Sequence, residues 1–244
     1  MAFISGTLEK QQGYKLVFYA LNRLPDDWRV YAQPGLVHQR EKRRPDYVVV
    51  HRDLGVIVLE VKDWLRINSC STRKAWIDGN GNGDRFYTSP VEQAEQACHV
   101  LQKMLEQYPE LVNQRGELDF PYRSAGILPF QNLQTIQWLE EMWGKNRVLG
   151  QEDLAPRVFE KRLRAIPAPF TMRMDSKQIA AVHALLDANT MHRRKRVRVK
   201  FTPKVHPREE QRPGVSGRNG GKPAAAVKKR PSSKRASRET PENG

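Results

Sequence analysis

Residues 45–64, PDYVVVHRDLGVIVLEVKDW, place two apolar runs on either side of a turn. Runs this continuous suit strands buried on both faces, and few folds accommodate them. The segment Arg52-Asp53-Leu54-Gly55-Val56 suits a three-residue hairpin loop with Gly55 in the left-handed position. With Arg52 paired to Val56, Asp46 lies opposite Lys62 and Val48 opposite Glu60. Because side chains alternate with period two, Asp46, Glu60 and Lys62 then share one face near the open end of the hairpin. Tyr47, Val49, Ile57, Leu59 and Val61 occupy the other face, while Val48, Val50 and Val58 keep the charged face apolar nearer the turn.

Two clustered carboxylates repel each other and lose hydration unless a cation stands between them. Oxygen ligands in that arrangement suit magnesium or manganese. Such an ion acidifies water and stabilises charge on a phosphoryl oxygen, and Lys62 beside it can orient the attacking water or meet the developing charge. The same three groups also suit a buried ion pair between Lys62 and one carboxylate, retained for register. That arrangement leaves one carboxylate unpaired, and the residues alone leave both readings open.

Around the hairpin, LEKQQGYKLVFYALNRL (8–24) has helical spacing and ends before Pro25. WRVYA (28–32) reads as a strand, followed by a polar loop with Pro34 and Gly35 and by a basic cluster from Arg40 to Arg44. RINSC (66–70) and KAWI (74–77) read as further strands, and SPVEQAEQACHVLQKMLEQYP (89–109) as a helix capped by Ser89 with Pro90 in its first turn. SAGILPF (124–130) predicts a buried strand, and LQTIQWLEEMWG (133–144) a helix closed by Gly144. APRVFEKRLRAI and DSKQIAAVHALLDA add two helical segments, expected outside the compact unit. This order predicts an α/β fold whose mixed sheet carries helices on both faces.

The net charge of +15 suggests nucleic acid, but its location matters more than its size. Residues 191–244 hold 17 basic and 4 acidic residues, whereas residues 1–190 hold 25 and 23. The predicted folded part is therefore nearly neutral. From about residue 191 apolar clusters vanish, Phe201 is the one aromatic, and Lys, Arg, Pro, Ser and Gly dominate. That composition predicts a disordered basic tail. Cys70 and Cys98 form no CxxC-type pair, which speaks against a zinc site or disulfide framework. No signal-peptide core or membrane-length apolar run is visible, so a cytoplasmic protein without membrane association is the expectation.

The "PD" at Asp46, the spacing to Glu60 and the "EVK" at 60–62 resemble the PD-(D/E)XK nuclease signature. The blocks LPDDWRV, RRPDYVVVHRDLGVIVLEVKDW and SPVEQA, in that order, resemble the nuclease-related domain (NERD) family over roughly residues 10–130. The resemblance implies a restriction-endonuclease-like mixed central sheet flanked by helices, with an αβββαβ core. It further implies a nuclease-like domain over 1–145, a helical extension over 146–190 and the basic tail over 191–244. The expected activity is metal-dependent phosphodiester hydrolysis, of DNA with RNA left open, in DNA processing or repair. Asp46, Glu60 and the backbone carbonyl of Val61 would ligate Mg2+ or Mn2+, with Lys62 as the catalytic lysine. Gln93 matches the glutamine of the family's "NPxxQA" block and would help place the substrate or the site.

Three positions depart from the family pattern. Ser89 replaces the usual Asn, Gly13-Tyr14 stands where "GE" is common, and Arg44 stands where many members carry a glutamate. Glu9 lies more than a turn before Tyr14. These departures, with the basic tail, support an alternative: a non-catalytic module of nuclease fold that binds nucleic acid. Domains of this family are often joined to a UvrD-like helicase, and residues 147–186 resemble the connector leading into such a partner. No GxxxxGK[ST] loop follows, so a stand-alone nuclease with a basic arm and a truncated helicase fusion both remain open.

Further nucleic-acid contacts are expected from Arg43 and Arg44 near the hairpin, and from Arg193, Arg194, Lys195 and Arg196 in the tail. Trp64 can stack on a base or join the core. DGNGNGD (78–84) imitates an EF-hand start, but its closing position would be Ser89, so a hairpin tip is expected. His51-Arg52-Asp53 is read as a turn, since no other kinase block accompanies it.

Overall fold

The computed structural model describes residues 2–5, 11–77 and 85–190. The tail with Arg193, Arg194, Lys195 and Arg196, the 78–84 segment and Glu9 lie outside those residues.

In chain order the elements are β1 (Phe3–Ser5), α1 (Gln12–Asn22), β2 (Trp28–Ala32), β3 (Leu36–His38), β4 (Glu41–Arg43), β5 (Tyr47–His51) and β6 (Gly55–Val61). There follow β7 (Ile67–Cys70), β8 (Lys74–Ile77), β9 (Arg85–Thr88), α2 (Pro90–Leu105), β10 (Tyr122–Ile127), α3 (Leu133–Trp143), β11 (Val148–Leu149), α4 (Pro156–Ala165) and α5 (Ser176–Thr190). The central sheet is six-stranded and mixed, in the order β1-β2-β5-β6-β10-β11. Strands β2, β5 and β6 run antiparallel to their neighbours in that set, and β10 joins β6 in parallel. The elements α1, β2, β5, β6, α2 and β10 form the expected αβββαβ core.

Every residue of β5 and β6 is buried, because both faces of the hairpin are covered. On one face Tyr47, Val49, Ile57, Leu59 and Val61 pack with Val17 and Leu21 of α1 and with Phe159 and Leu163 of α4. On the other, Val48, Val50, Val56 and Val58 pack with Ala94, Ala97 and Leu101 of α2 and with Val182 and Leu186 of α5. The two last helices, expected outside the compact unit, thus supply side chains to both core layers. The docking surface that buries them is made by distant strands, which the local sequence of either helix does not show.

The hairpin register corrects the sequence expectation. His51 pairs with Gly55 and Val48 with Val58, so the loop is Arg52–Leu54, closed by the Leu54 N–H to the His51 carbonyl at 3.1 Å. Gly55 does adopt the left-handed conformation, at φ +70°, and a Cβ there would also overlap the Pro121 carbonyl oxygen. The two-residue shift preserves the alternation of faces. It changes the partner, however: continuing the register one residue places Asp46 opposite Glu60 rather than Lys62.

Several short elements escape the sequence reading. The polar loop and basic cluster form the β3–β4 hairpin, held by fully buried Leu36. Strand β9 completes a second sheet, β7-β8-β9, which packs through Ala75 and Ile77 with Ile136, Leu139 and Trp143 of α3. Strands β1 and β11 edge the central sheet. Each runs only two or three residues and lacks a readable period. Among the described residues no helix is long and apolar enough to cross a membrane.

Helix α1 has no side-chain cap of its own at Gln11; instead Asp63 Oδ2 accepts the Gly13 N–H at 3.0 Å. A Cβ at Gly13 would overlap Asp63 Oδ1 and crowd Pro129 Cγ at 2.6 Å. Alanine normally favours a helix over glycine by about 1 kcal/mol, whereas overpacking costs about 1–3 kcal/mol. Gly13→Ala should therefore lower the melting temperature, and a rise would show that helix and Asp63 separate freely.

Candidate active site

The site lies where the β5–β6 ladder ends. Continued past β5, the register sets Pro45 opposite Val61, and proline has no N–H to offer the Val61 carbonyl. The Val61 N–H instead donates to Asp46 Oδ2 at 2.7 Å. The Tyr14 hydroxyl, from α1, donates to Asp46 Oδ1 at 2.7 Å and lies 3.4 Å from the Val61 carbonyl oxygen. Glu60 accepts from Lys62 Nζ at 2.7 Å and is also held by the main-chain N–H of Asp46. Asp46 is 6% exposed and Glu60 9%, while the Lys62 side chain keeps 24% of its surface in solvent. The structure thus brings Asp46, Glu60, Lys62 and the Val61 carbonyl together.

Burial raises the pKa of both carboxyls. Asp46 is pushed up to about 7, by desolvation first and by the Glu60 charge second, against the lowering effect of the Val61 N–H, Tyr14 and Lys62. Glu60 is also raised by desolvation, which its Lys62 partner opposes. Two desolvated carboxylates with one shared ammonium form an electron-rich oxygen cluster, which a hard divalent cation suits. Among the described residues no third Asp, Glu, His or Cys joins them to form a metal-binding group. The donor set available to a cation is therefore two carboxylates, the Val61 carbonyl and water.

The other expected residues are placed apart from that cluster or serve to support it. Gln93 donates through Nε2 to the Thr88 carbonyl at 2.8 Å, tying α2 to the end of β9. Ser89 caps α2 by accepting the Glu92 N–H at 3.1 Å. Arg43 reaches Gln96 Oε1 at 3.3 Å, and Arg44 reaches Gln33 Oε1 at 2.8 Å, both in exposed positions. Half-buried Trp64 packs against the α3 cluster, its ring 5.9 Å from that of Tyr87. Sequence reasoning missed what Asp63 and Tyr14 do. Asp63 holds the start of α1, and Tyr14 one position later touches Asp46. The missing cap on α1 is the sequence signal that a distant carboxylate must supply one.

A carboxyl whose folded pKa is about 7 binds its proton more tightly than in the unfolded chain, where the value is about 4. Its contribution to stability is full below the lower value and is lost as pH rises through the upper one. With a chelator present, thermal stability should fall across that window, and Asp46→Asn should flatten the slope. An unchanged slope in the variant would assign the titration to other groups.

No curated protein and no solved structure matches the chain. A family model does match, over residues 9–129, and its description is the nuclease-related domain, NERD. That stretch contains Asp46, Glu60, Lys62 and Gln93, and through it residues 9–129 are identified as a nuclease-related domain.

Proposed function

We propose that the chain is a nuclease that hydrolyses phosphodiester bonds of DNA at the Asp46–Glu60–Lys62 cluster, with Mg2+ or Mn2+ as cofactor. The supporting observation is the pair of buried carboxylates at the open end of the central hairpin, with Lys62 Nζ 2.7 Å from Glu60. A structural ion pair needs one carboxylate, and here a second is buried beside it. A divalent ion bound by Asp46, Glu60 and the Val61 carbonyl would acidify the attacking water and stabilise charge on a phosphoryl oxygen. Lys62, the most exposed of the three, stands where its ammonium can orient that water or meet the negative charge that grows on the oxygens as the P–O bond breaks. The Val61 N–H and Tyr14 hydroxyl fix the Asp46 carboxylate, so its orientation need not be found during reaction.

One observation favours a second reading, a binding module without turnover. The Tyr14 hydroxyl already lies within reach of both Asp46 Oδ1 and the Val61 carbonyl, where a cation would be held. Calorimetric titration with Mg2+ and Mn2+ separates the two, since a binding module gives no metal isotherm at this site.

Incubated with DNA and either ion, the wild-type chain should cleave, and Asp46→Ala and Lys62→Ala should lose about a hundredfold or more of the rate. Equal cleavage by all three would reject the assignment. Lys62→Met keeps most of the apolar stem, so it should retain its melting temperature and still gain stability from magnesium. If Lys62 instead serves a structural pair, the same change leaves a buried charge uncompensated and costs about 3–5 kcal/mol, with no response to the ion.

A further inference from the structure

The sheet β7-β8-β9 has one face on α3 and an opposite face that bears paired aromatic rings. Ala75 is fully buried in the α3 cluster, and its cross-strand partner Tyr87 shares that side. Period-two alternation puts Trp76 and its partner Phe86 on the opposite face, with Lys74 two residues before Trp76. The Trp76 and Phe86 rings meet edge to face, with centroids 4.9 Å apart. Phe86 is 62% exposed, so folding leaves most of its ring in water.

Exposed Lys74, in register with Thr88, shares the face of these rings. Arg85 is in register with Ile77 and so lies on the α3 side of the sheet, while exposed Arg66 and Arg73 flank the strands, and no carboxylate occurs among the described residues of the three strands. Arg73 is engaged with Glu92 at 3.6 Å. Asp78 and Asp84 fall in the connection between β8 and β9, outside the described residues. The sheet is also continuous with the hairpin site. Trp64, two residues after Lys62, packs on Tyr87 of β9, and Gln93 holds the Thr88 carbonyl at the end of that strand.

We infer that this face is a stacking platform for single-stranded DNA, with unpaired bases on Phe86 and Trp76 and the phosphates toward Lys74. Stacking on protein rings needs a base whose π-face is free, which a duplex withholds in its own stack. Rings without cations would suit an apolar peptide, and cations without rings would suit any phosphate; the combination fits a single strand. The choice of DNA rests on the nuclease reading above, whose water nucleophile needs no 2′-hydroxyl. The platform would deliver single strands or unpaired ends to the Asp46–Glu60 cluster.

Fluorescence anisotropy of the full chain in a chelator, without cleavage, tests this with a labelled oligothymidylate and a labelled duplex of equal length. Phosphate binding by the basic tail acts on both forms alike, so the discriminating quantity is the difference between them. Wild type should prefer the single strand. Phe86→Ala should weaken single-strand binding about tenfold and leave duplex binding unchanged, and Phe86→Tyr should restore it. Because Phe86 is mostly exposed, circular dichroism of Phe86→Ala should match wild type. No loss on the single strand, or an equal loss on both forms, would overturn the platform. Tighter binding of the matching oligoribonucleotide would overturn its assignment to DNA. Absence of cleavage with selective binding intact would reject the nuclease reading alone and support the platform.

Discussion

The Val61 N–H donated to Asp46, at the point where Pro45 stops the β5–β6 ladder, is the contact around which the rest of the molecule is organised. A ladder that simply ended in the interior would leave main-chain groups unpaired, at a cost comparable to a lost hydrogen bond. The Asp46 carboxylate takes the amide, and the Asp46 amide in turn helps to hold Glu60. Each strand thereby satisfies the other with a side chain. The same substitution draws two carboxylates into a buried space, where desolvation raises the cost of ionising both and the Glu60 charge adds to that of Asp46. Termination of the sheet and construction of an acidic cluster are one event.

Four consecutive residues leave that point with different tasks. Glu60 faces Asp46, Val61 supplies an amide to Asp46 and a carbonyl within reach of the Tyr14 hydroxyl, Lys62 returns to Glu60, and Asp63 reaches the start of α1. Strand alternation explains the first three, since neighbouring side chains diverge while the main chain stays in place. Asp63 acts after the strand has ended, and its grip on Gly13 brings Tyr14 to Asp46. Helix α1 therefore depends on the site for its first turn, and the site depends on α1 for a hydrogen bond. A side chain larger than hydrogen at position 13 would separate them.

Support from the other side comes through α2. Its N-terminus is set by Ser89 and by Gln93, whose amide binds the end of β9. The second sheet is thus anchored to the same helix that covers Val48, Val56 and Val58. Helices α4 and α5 complete the two layers with Phe159, Leu163, Val182 and Leu186. With both faces of the hairpin covered, the carboxylates at its end are kept from bulk water, which makes their environment chemically useful.

The sequence by itself determined the central hairpin, the helices around it and the common face of Asp46, Glu60 and Lys62. These features rest on local chemistry: unbroken β-branched runs, Ser89-Pro90 at a helix start, Gly55 at a turn, and alternation with period two. The αβββαβ order followed from the same signals. Tertiary structure alone decided which residue faces which. The loop closes at Arg52–Leu54, and just beyond it the Val56 N–H donates to the carbonyl of Pro121, more than sixty residues away, at 3.1 Å. The β5–β6 register that follows this loop sets Asp46 against Glu60. Tertiary structure also decided the partners of Tyr14, Asp63 and Arg44, since hydrogen bonds between distant segments leave no period in the chain. The short strands β1 and β11 form for the same reason: each is too brief to carry a pattern, and each owes its pairing to an edge that the folded sheet provides, whereas β3 and β4 pair with each other in a hairpin.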